Sequence, residues 1–281
     1  MKSAFGKKWM DLICMAVTRL WSISRGVLIV VLLFPVIAAG ETGKIRITCD
    51  PWAPWMEGKQ GEKPTGGVFI QITEALFSRI NIEYGITIFP FKRCLRQMQT
   101  GERDIMLMVS KTPERETFMA FSDVVLSDPY YLYYSSKRIS SFEWGAWDDL
   151  KNLRIGVVSG FNYGNDFKAA VHAYRITLDG VTSDLQNIKK LVAGRFDFVI
   201  LNKTNADALL WEYPEFKKDV KMSGKVLHEA QYRFGFSKKS PSLSLIPAIN
   251  DTIMALKNDG TMKIILQKYK VGLHSERGGD Q

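Results

Sequence analysis

The 281-residue chain predicts an α/β fold in two lobes, the first of them discontinuous. Three observations carry this. From Lys44 onward, short apolar runs alternate with stretches of helical periodicity. That rhythm pauses at a tyrosine-rich stretch, residues 129–135, and restarts near Leu153. A late strand, residues 231–237, then returns the chain after the second block is complete. Alternation of this kind implies mostly parallel sheets whose crossover helices flank them.

In order, residues 44–48 alternate apolar and polar and read as a strand. Gly66 and Gly67 lead into a helix over 68–80, where Ile70, Ile72, Ala75, Leu76, Phe77 and Ile80 recur at helical spacing. Residues 84–89 are the next strand, 91–99 a helix closed by Gly101, and 104–109 an apolar run short enough for a buried strand. Residues 129–135 read as extended. In the second block, 153–158 is a strand, 160–164 a loop, and 165–174 and 182–192 helices, with 196–201 a second buried strand. Residues 242–269 carry two helices separated by Asn258-Asp-Gly260. The organisation is a leader over 1–39, lobe 1 over 40–130, lobe 2 over 131–230, a return to lobe 1 over 231–272, and a loose tail over 273–281.

The leader follows from a basic segment (Lys7, Lys8, Arg19, Arg25), an apolar run over 27–37 and the small residues Ala38-Ala39-Gly40. These make a secretory signal peptide cut near residues 38–40, and so a periplasmic product. The run is shorter than the ~20 residues a membrane span needs; an uncleaved anchor is the alternative. The net charge of +9 is partly the leader's, since residues 1–39 hold five basic side chains against Asp11 alone, leaving +5 for the rest. The remaining charges are interspersed, without the basic stripe that nucleic acid requires. Cys49 and Cys94 are the cysteines left after cleavage; an exported chain permits a bridge between them, and spacing does not decide between a disulfide and free thiols.

In open parallel sheets ligands bind beyond the carboxyl ends of the strands. That rule selects the loops 50–55, 91–93, 110–115, 159–163 and 202–204. The three histidines, His172, His228 and His274, fall off these loops, and no nucleophile elbow, metal-ligand spacing or phosphate loop occurs. No cofactor, metal or catalytic residue is therefore expected.

Four segments carry a family resemblance: Gly101-Glu-Arg-Asp104 running through Ser110, Thr112 and Arg115 to Phe121-Ser-Asp123; Asp149 through the strand 153–158 to Ser159-Gly160; Leu191-Val-Ala-Gly-Arg-Phe-Asp197; and Leu256-Lys-Asn-Asp-Gly-Thr-Met-Lys-Ile-Ile265. In this order they resemble the bacterial extracellular solute-binding proteins of the polar amino acid type, which serve ABC importers. The resemblance implies a periplasmic-binding-protein-like, type II fold, with two hinge crossovers and a ligand trapped between lobes. It implies a monomer that delivers a small polar, carboxylate-bearing ligand to a membrane permease. Arg115 matches the arginine that grips the ligand carboxylate, which suits the planar fork of a guanidinium; the alternative is an ion pair with Glu114 or Glu116. Ser110 matches the assisting hydroxyl, and Gly160 and Asn162 the second lobe's loop. Asn202 stands where the family holds an acid for the ligand's ammonium, and Gln71 where a further acid is usual; Asp50 is placed to compensate. Trp52, Trp55, Phe91 and Tyr163 offer aromatic faces or ordinary packing, and Arg93 a second positive charge or a pairing with a nearby acid. A dehydratase-like enzyme on the same fold and a ligand-presenting partner of a sensor are the alternative functions.

Overall fold

The leader and the tail expected from the sequence lie outside the described residues: the computed structural model describes residues 43–271. The first half-sheet is built from β1 (Ile45–Cys49), β2 (Tyr84–Ile88) and β3 (Ile105–Val109), with β1 parallel to both neighbours. Helices α1 (Val68–Ile80) and α2 (Phe91–Thr100) form the crossovers. The turn α3 (Pro113–Glu116) and the short strand β4 (Met119–Phe121) follow. Strand β3 is buried along its whole length, as its unbroken apolar run demands of a strand covered on both faces. Gly67 begins α1 at φ 118°, where a Cβ would sit 2.4 Å from the carbonyl oxygen of Trp55, so only glycine fits that entry.

Strand β5 (Leu126–Ser135) then carries the chain into the second half-sheet. That half holds β6 (Arg154–Val158), α4 (Asn165–Ala173), β7 (Thr177–Val181), α5 (Asp184–Val192), β8 (Phe198–Asn202), α6 (Lys203–Glu212) and α7 (Pro214–Lys217). The return is one long strand, β9 (Val220–Ser237), after which α8 (Ile246–Asn258) and α9 (Thr261–Lys268) pack back on the first half. Along the continuous path the order is β2-β1-β3-β9-β5-β8-β6-β7, with β4 paired to β9. Parallel pairing within each half gives way to antiparallel pairing at the junction, where β5 and β9 form the two crossovers between lobes. Register shifts flank Tyr131 in that ribbon, the kind of bulge that bends and twists a strand pair.

Several elements differ from the sequence expectation. Strand β7 and helices α6 and α7 were not predicted, β9 begins eleven residues earlier than residue 231, and α5 starts at Asp184 because Ser183 caps it, its Oγ accepting from the Gln186 N–H. Cys49 and Cys94 are both buried free thiols. Thr48 Oγ1 donates to the Cys94 sulfur at 3.2 Å, so Cys94 packs on the Thr48 face of β1. Successive strand residues point to opposite faces, which places the Cys49 side chain on the other side of the sheet from Cys94.

Candidate functional site

The carboxyl ends of β1 and β3 set the inner wall of a cleft between the half-sheets. Past Cys49 the chain turns sharply, with the Trp52 N–H donating to the Met56 carbonyl and the Trp55 and Met56 N–H groups to that of Trp52. This turn fixes Asp50 and Trp52 at the strand end. At the end of β3, Thr112 caps α3 by accepting the Arg115 N–H, and the Arg115 side chain folds back over the strand end. Its Nη1 donates to both the carbonyl and the hydroxyl oxygen of Ser110 at 2.7 Å, and its Nη2 reaches across the cleft to the Gly160 carbonyl at 2.9 Å. The guanidinium lies 5.2 Å from the Phe91 ring centre.

These groups enclose a small inner cavity of about 20 Å³. Asp50, Trp52, Phe91, Met108, Ser110 and Arg115 line it from the first half, Phe161 and Asn162 from the second, and Tyr130 and Tyr232 from the two crossover strands. The aromatic rings pack edge to face, with Trp52 5.2 Å from Phe161 and 5.7 Å from Tyr232. Met108 adopts φ 49°, where the β3–β9 register shifts between Met106 and Val109. A non-glycine residue held there stores about 1–3 kcal/mol of strain, and such strain gathers at binding sites. An outer chamber of about 450 Å³ adjoins the cavity through Ser110 and Asn162, and Lys111, Glu229, Arg233 and His228 help to line it. His228, expected off the cleft, is thus on its rim.

The electrostatics are unusual. Arg115 is buried, and among the described residues no carboxylate lies within ion-pair distance of it. Burial pushes its pKa down to about 10, against the opposing fields of Tyr130, Glu114 and Asp50. Burial pushes the Asp50 carboxyl up to about 7, partly offset by its own backbone N–H and by Arg115. Across the cleft, Asp184 is also pushed up to about 7 by burial; the Trp52 indole N–H, donating to its Oδ2 at 2.9 Å, opposes the shift and the charge of Asp50 adds to it.

The predicted site residues divide into two groups. Asp50, Trp52, Ser110, Arg115 and Asn162 share the cavity wall. Trp55, Tyr163, Asn202 and Arg93 do not. Trp55 is fully buried and its indole N–H donates to Asn202 Oδ1 at 3.3 Å. Asn202 caps α6 by accepting the Asn205 N–H, and its amide donates to Tyr232 Oη at 3.4 Å. Tyr163 Oη accepts the Val158 N–H at 2.8 Å, behind Tyr130. Arg93 is exposed on α2, stacked over the Phe89 ring at 4.2 Å. The sequence did not single out Met108, Tyr130, Phe161, Asp184 or Tyr232. The tyrosine-rich stretch was the one signal for Tyr130; for Asp184 there was only its place at a helix start. Among the described residues no group of His, Cys, Asp and Glu is placed to hold a metal, and no helix is long and apolar enough to cross a membrane.

Comparison with known proteins matches residues 45–272 to the family of bacterial extracellular solute-binding proteins, family 3. The histidine-binding periplasmic protein of Salmonella typhimurium is 24% identical over 237 residues, 80% of this chain and 87% of that protein. A protein described as a probable amino-acid-binding protein of Bacillus subtilis is 23% identical over 215 residues, 75% of this chain and 78% of its own. A crystal structure of the substrate-binding protein of an amino acid ABC transporter shares the fold, with a TM-score of 0.66 at 23% identity, over 81% of this chain and 99% of that one.

Proposed function

The chain belongs to the bacterial extracellular solute-binding proteins of family 3, and from that premise we propose that it captures an amino acid in the periplasm and delivers it to the permease of an ABC importer. Binding a solute is the family's role; the ligand class, the compartment and the partner are our reading. The observation that carries the ligand class is Arg115. A guanidinium buried with only neutral acceptors, Ser110 and the Gly160 carbonyl, is poised for an anion, because a buried charge is costly until it is paired. A ligand carboxylate displaces the Gly160 contact and meets the planar donor fork edge on. Asp50 faces the same cavity and suits the ligand's positive end, while Trp52, Phe91, Phe161 and Tyr232 supply apolar and cation-attracting faces. Two relatives named for amino acid or histidine binding support this class.

The mechanism is closure about β5 and β9. Arg115, Ser110 and Asp50 belong to one lobe and Phe161 and Asn162 to the other, so a ligand meets its full set of contacts only when the cleft shuts. That difference in contacts is what shifts the open–closed equilibrium. The permease then recognises the closed form, and the protein works as a monomer.

Thermal unfolding against the proteinogenic amino acids, dicarboxylates, sugars and polyamines tests this. At 1,000 times its dissociation constant a ligand adds about 4 kcal/mol, a rise of several degrees in Tm for a chain of this size. The expected result is a rise with one or a few amino acids and none with sugars. A rise with sugars alone overturns the amino-acid assignment.

A further inference from the structure

Helix α6 turns one face away from the core. Its buried side, Asn205, Ala206 and Leu209, packs on the second half-sheet. Asp207, Ala208 and Trp211 recur at helical spacing on the opposite side, and Trp211 is 83% exposed. Facing them stand Pro54, Glu57 and Tyr269 of the first lobe, and these residues line a groove of about 910 Å³. The groove shares no lining residue with the inner cavity or the outer chamber. Its walls are held in place. Tyr269 Oη accepts the Gly67 N–H at 3.3 Å and the Gln71 side-chain amide at 3.0 Å, so Gln71 serves this wall. Asn205 Nδ2 donates to the Ala53 carbonyl at 2.6 Å, which ties the two lobes together along the groove.

The charge of the groove runs against that of the chain. Residues 40–281 carry +5, yet Glu57, Asp207 and Glu212 line the groove against Lys270 alone. Lys203 pairs with Asp207 from within α6. Glu57 and Glu212 have no basic side chain within ion-pair distance among the described residues. An exposed indole beside carboxylates on both walls is the chemistry that receives a cation, since an aromatic face and an anion attract it together. We propose that this groove is a docking site for a basic segment of a protein partner, whose arginine or lysine stacks on Trp211 and pairs with Glu57 or Glu212. Arginine suits it better, because a planar guanidinium can stack and pair at once.

The two walls belong to different lobes, so their separation changes when the cleft opens. A segment that touches both meets its full set of contacts in the closed form alone. Seated there it favours closure, and by linkage any solute that favours closure tightens the segment's hold. The docking site stands on the groove and its charge, and does not rest on the ligand class proposed above.

An acetylated, amidated tri-arginine peptide is the probe, with tri-glutamate capped in the same way as its control. Tri-arginine so capped has no carboxylate for Arg115, which separates this site from the ligand cavity. Calorimetry at low ionic strength should show saturable binding of tri-arginine that weakens as salt is added, and no binding of tri-glutamate. Trp211→Ala, at an exposed position, should keep the unaltered protein's Tm and weaken tri-arginine about tenfold. Glu57→Gln combined with Glu212→Gln gives a second reading and should weaken it at least as much. Nuclear magnetic resonance of the labelled protein locates the peptide, with amide shifts expected on both walls, over residues 53–57, 204–212 and 269–270. No binding of tri-arginine, equal binding of tri-glutamate, or full affinity in both variants overturns the docking site. Shifts on one wall alone, or centred on Ser110 and Arg115, overturn its seat between the lobes. A thermal screen that finds no amino acid leaves every one of these readings unchanged, so the two proposals fail separately.

Discussion

The two lobes treat the cleft differently. The first brings groups already fixed: Arg115 is pinned by two bonds to Ser110 and by the Thr112 cap, and Asp50 and Trp52 sit on a hydrogen-bonded turn. The second brings a loop carbonyl, a half-buried ring and an amide, from Gly160, Phe161 and Asn162, held within their own lobe by the Phe161 N–H donating to the Val158 carbonyl at 3.2 Å and by Asn162 Oδ1 accepting the Gly164 N–H at 3.2 Å. The lesson is a division of labour. Rigid groups lose little ordering entropy on binding, so under the proposed function the first lobe is expected to supply most of the affinity and the second the contacts that distinguish closed from open.

The largest expected effect breaks or upholds that division. Arg115→Ala should remove about 2–5 kcal/mol of affinity for the carboxylate ligand found by thermal shift, the cost of losing one partner of a desolvated charge pair. Asn162→Ala should remove about 1 kcal/mol, the worth of one ordinary hydrogen bond. Isothermal calorimetry on both variants settles it. Equal losses contradict the division, because the second lobe's loop would then grip as strongly as the first lobe's arginine.

Legibility in the sequence follows the same line. Ser110 and Arg115 were readable because a strand end and a capped turn set their spacing locally, and β3 and β8 because their apolar runs are unbroken. Strand β7 escaped because four of its five residues are exposed and it holds an Asp-Gly pair, so no alternation marks it. Helix α6 starts directly on the last residue of β8 and has no single apolar stripe. The first half of β9 is largely polar because beyond β5 it has no second neighbour. Tyr130 and Tyr232 belong to recognisable strands, but which face they present depends on the register shifts in the β5–β9 ribbon. Asp184 looks like any acid at a helix start; its role depends on Trp52, 132 residues away in the chain. Local signals found the Arg115 side of the cleft, and long-range packing made the other.

Asn202 sharpens the comparison from the covering side. Resemblance placed it in the site as a weakened ammonium partner, yet its amide oxygen caps α6 and accepts the Trp55 N–H, while its nitrogen donates to Tyr232. It holds the lobes' aromatic groups in place and lies outside the cavity wall. Asn202→Ala should therefore cost about 3 kcal/mol of stability. About 1 kcal/mol of that is the lost cap, and the remainder is a buried indole N–H left without an acceptor. Urea unfolding measures this. A loss below about 1 kcal/mol, coupled with a large loss of ligand affinity, would return Asn202 to the binding site.

The smallest effect lies between the lobes. Asp128 on β5 accepts the Thr204 N–H at the start of α6, tying a crossover strand to the second lobe. Burial pushes its carboxyl up to about 6, and the bonds from Thr204 and Asn202 only partly oppose this. A carboxyl near 6 in the folded chain and near 3.8 in the unfolded one is most favourable to folding at low pH. Its contribution is lost as the pH rises from about 4 through about 6, and above that the folded state carries a buried, unpaired charge. Asp128→Asn keeps the acceptor and removes the charge. It should add on the order of 2 kcal/mol of stability at pH 8 and close to nothing at pH 4, read from unfolding curves at the two pH values. An equal gain at both would mean the benefit is one of packing. A loss at pH 8 would mean that the charge itself, held by the α6 N-terminus, is what fastens the second lobe to the strand on which it turns.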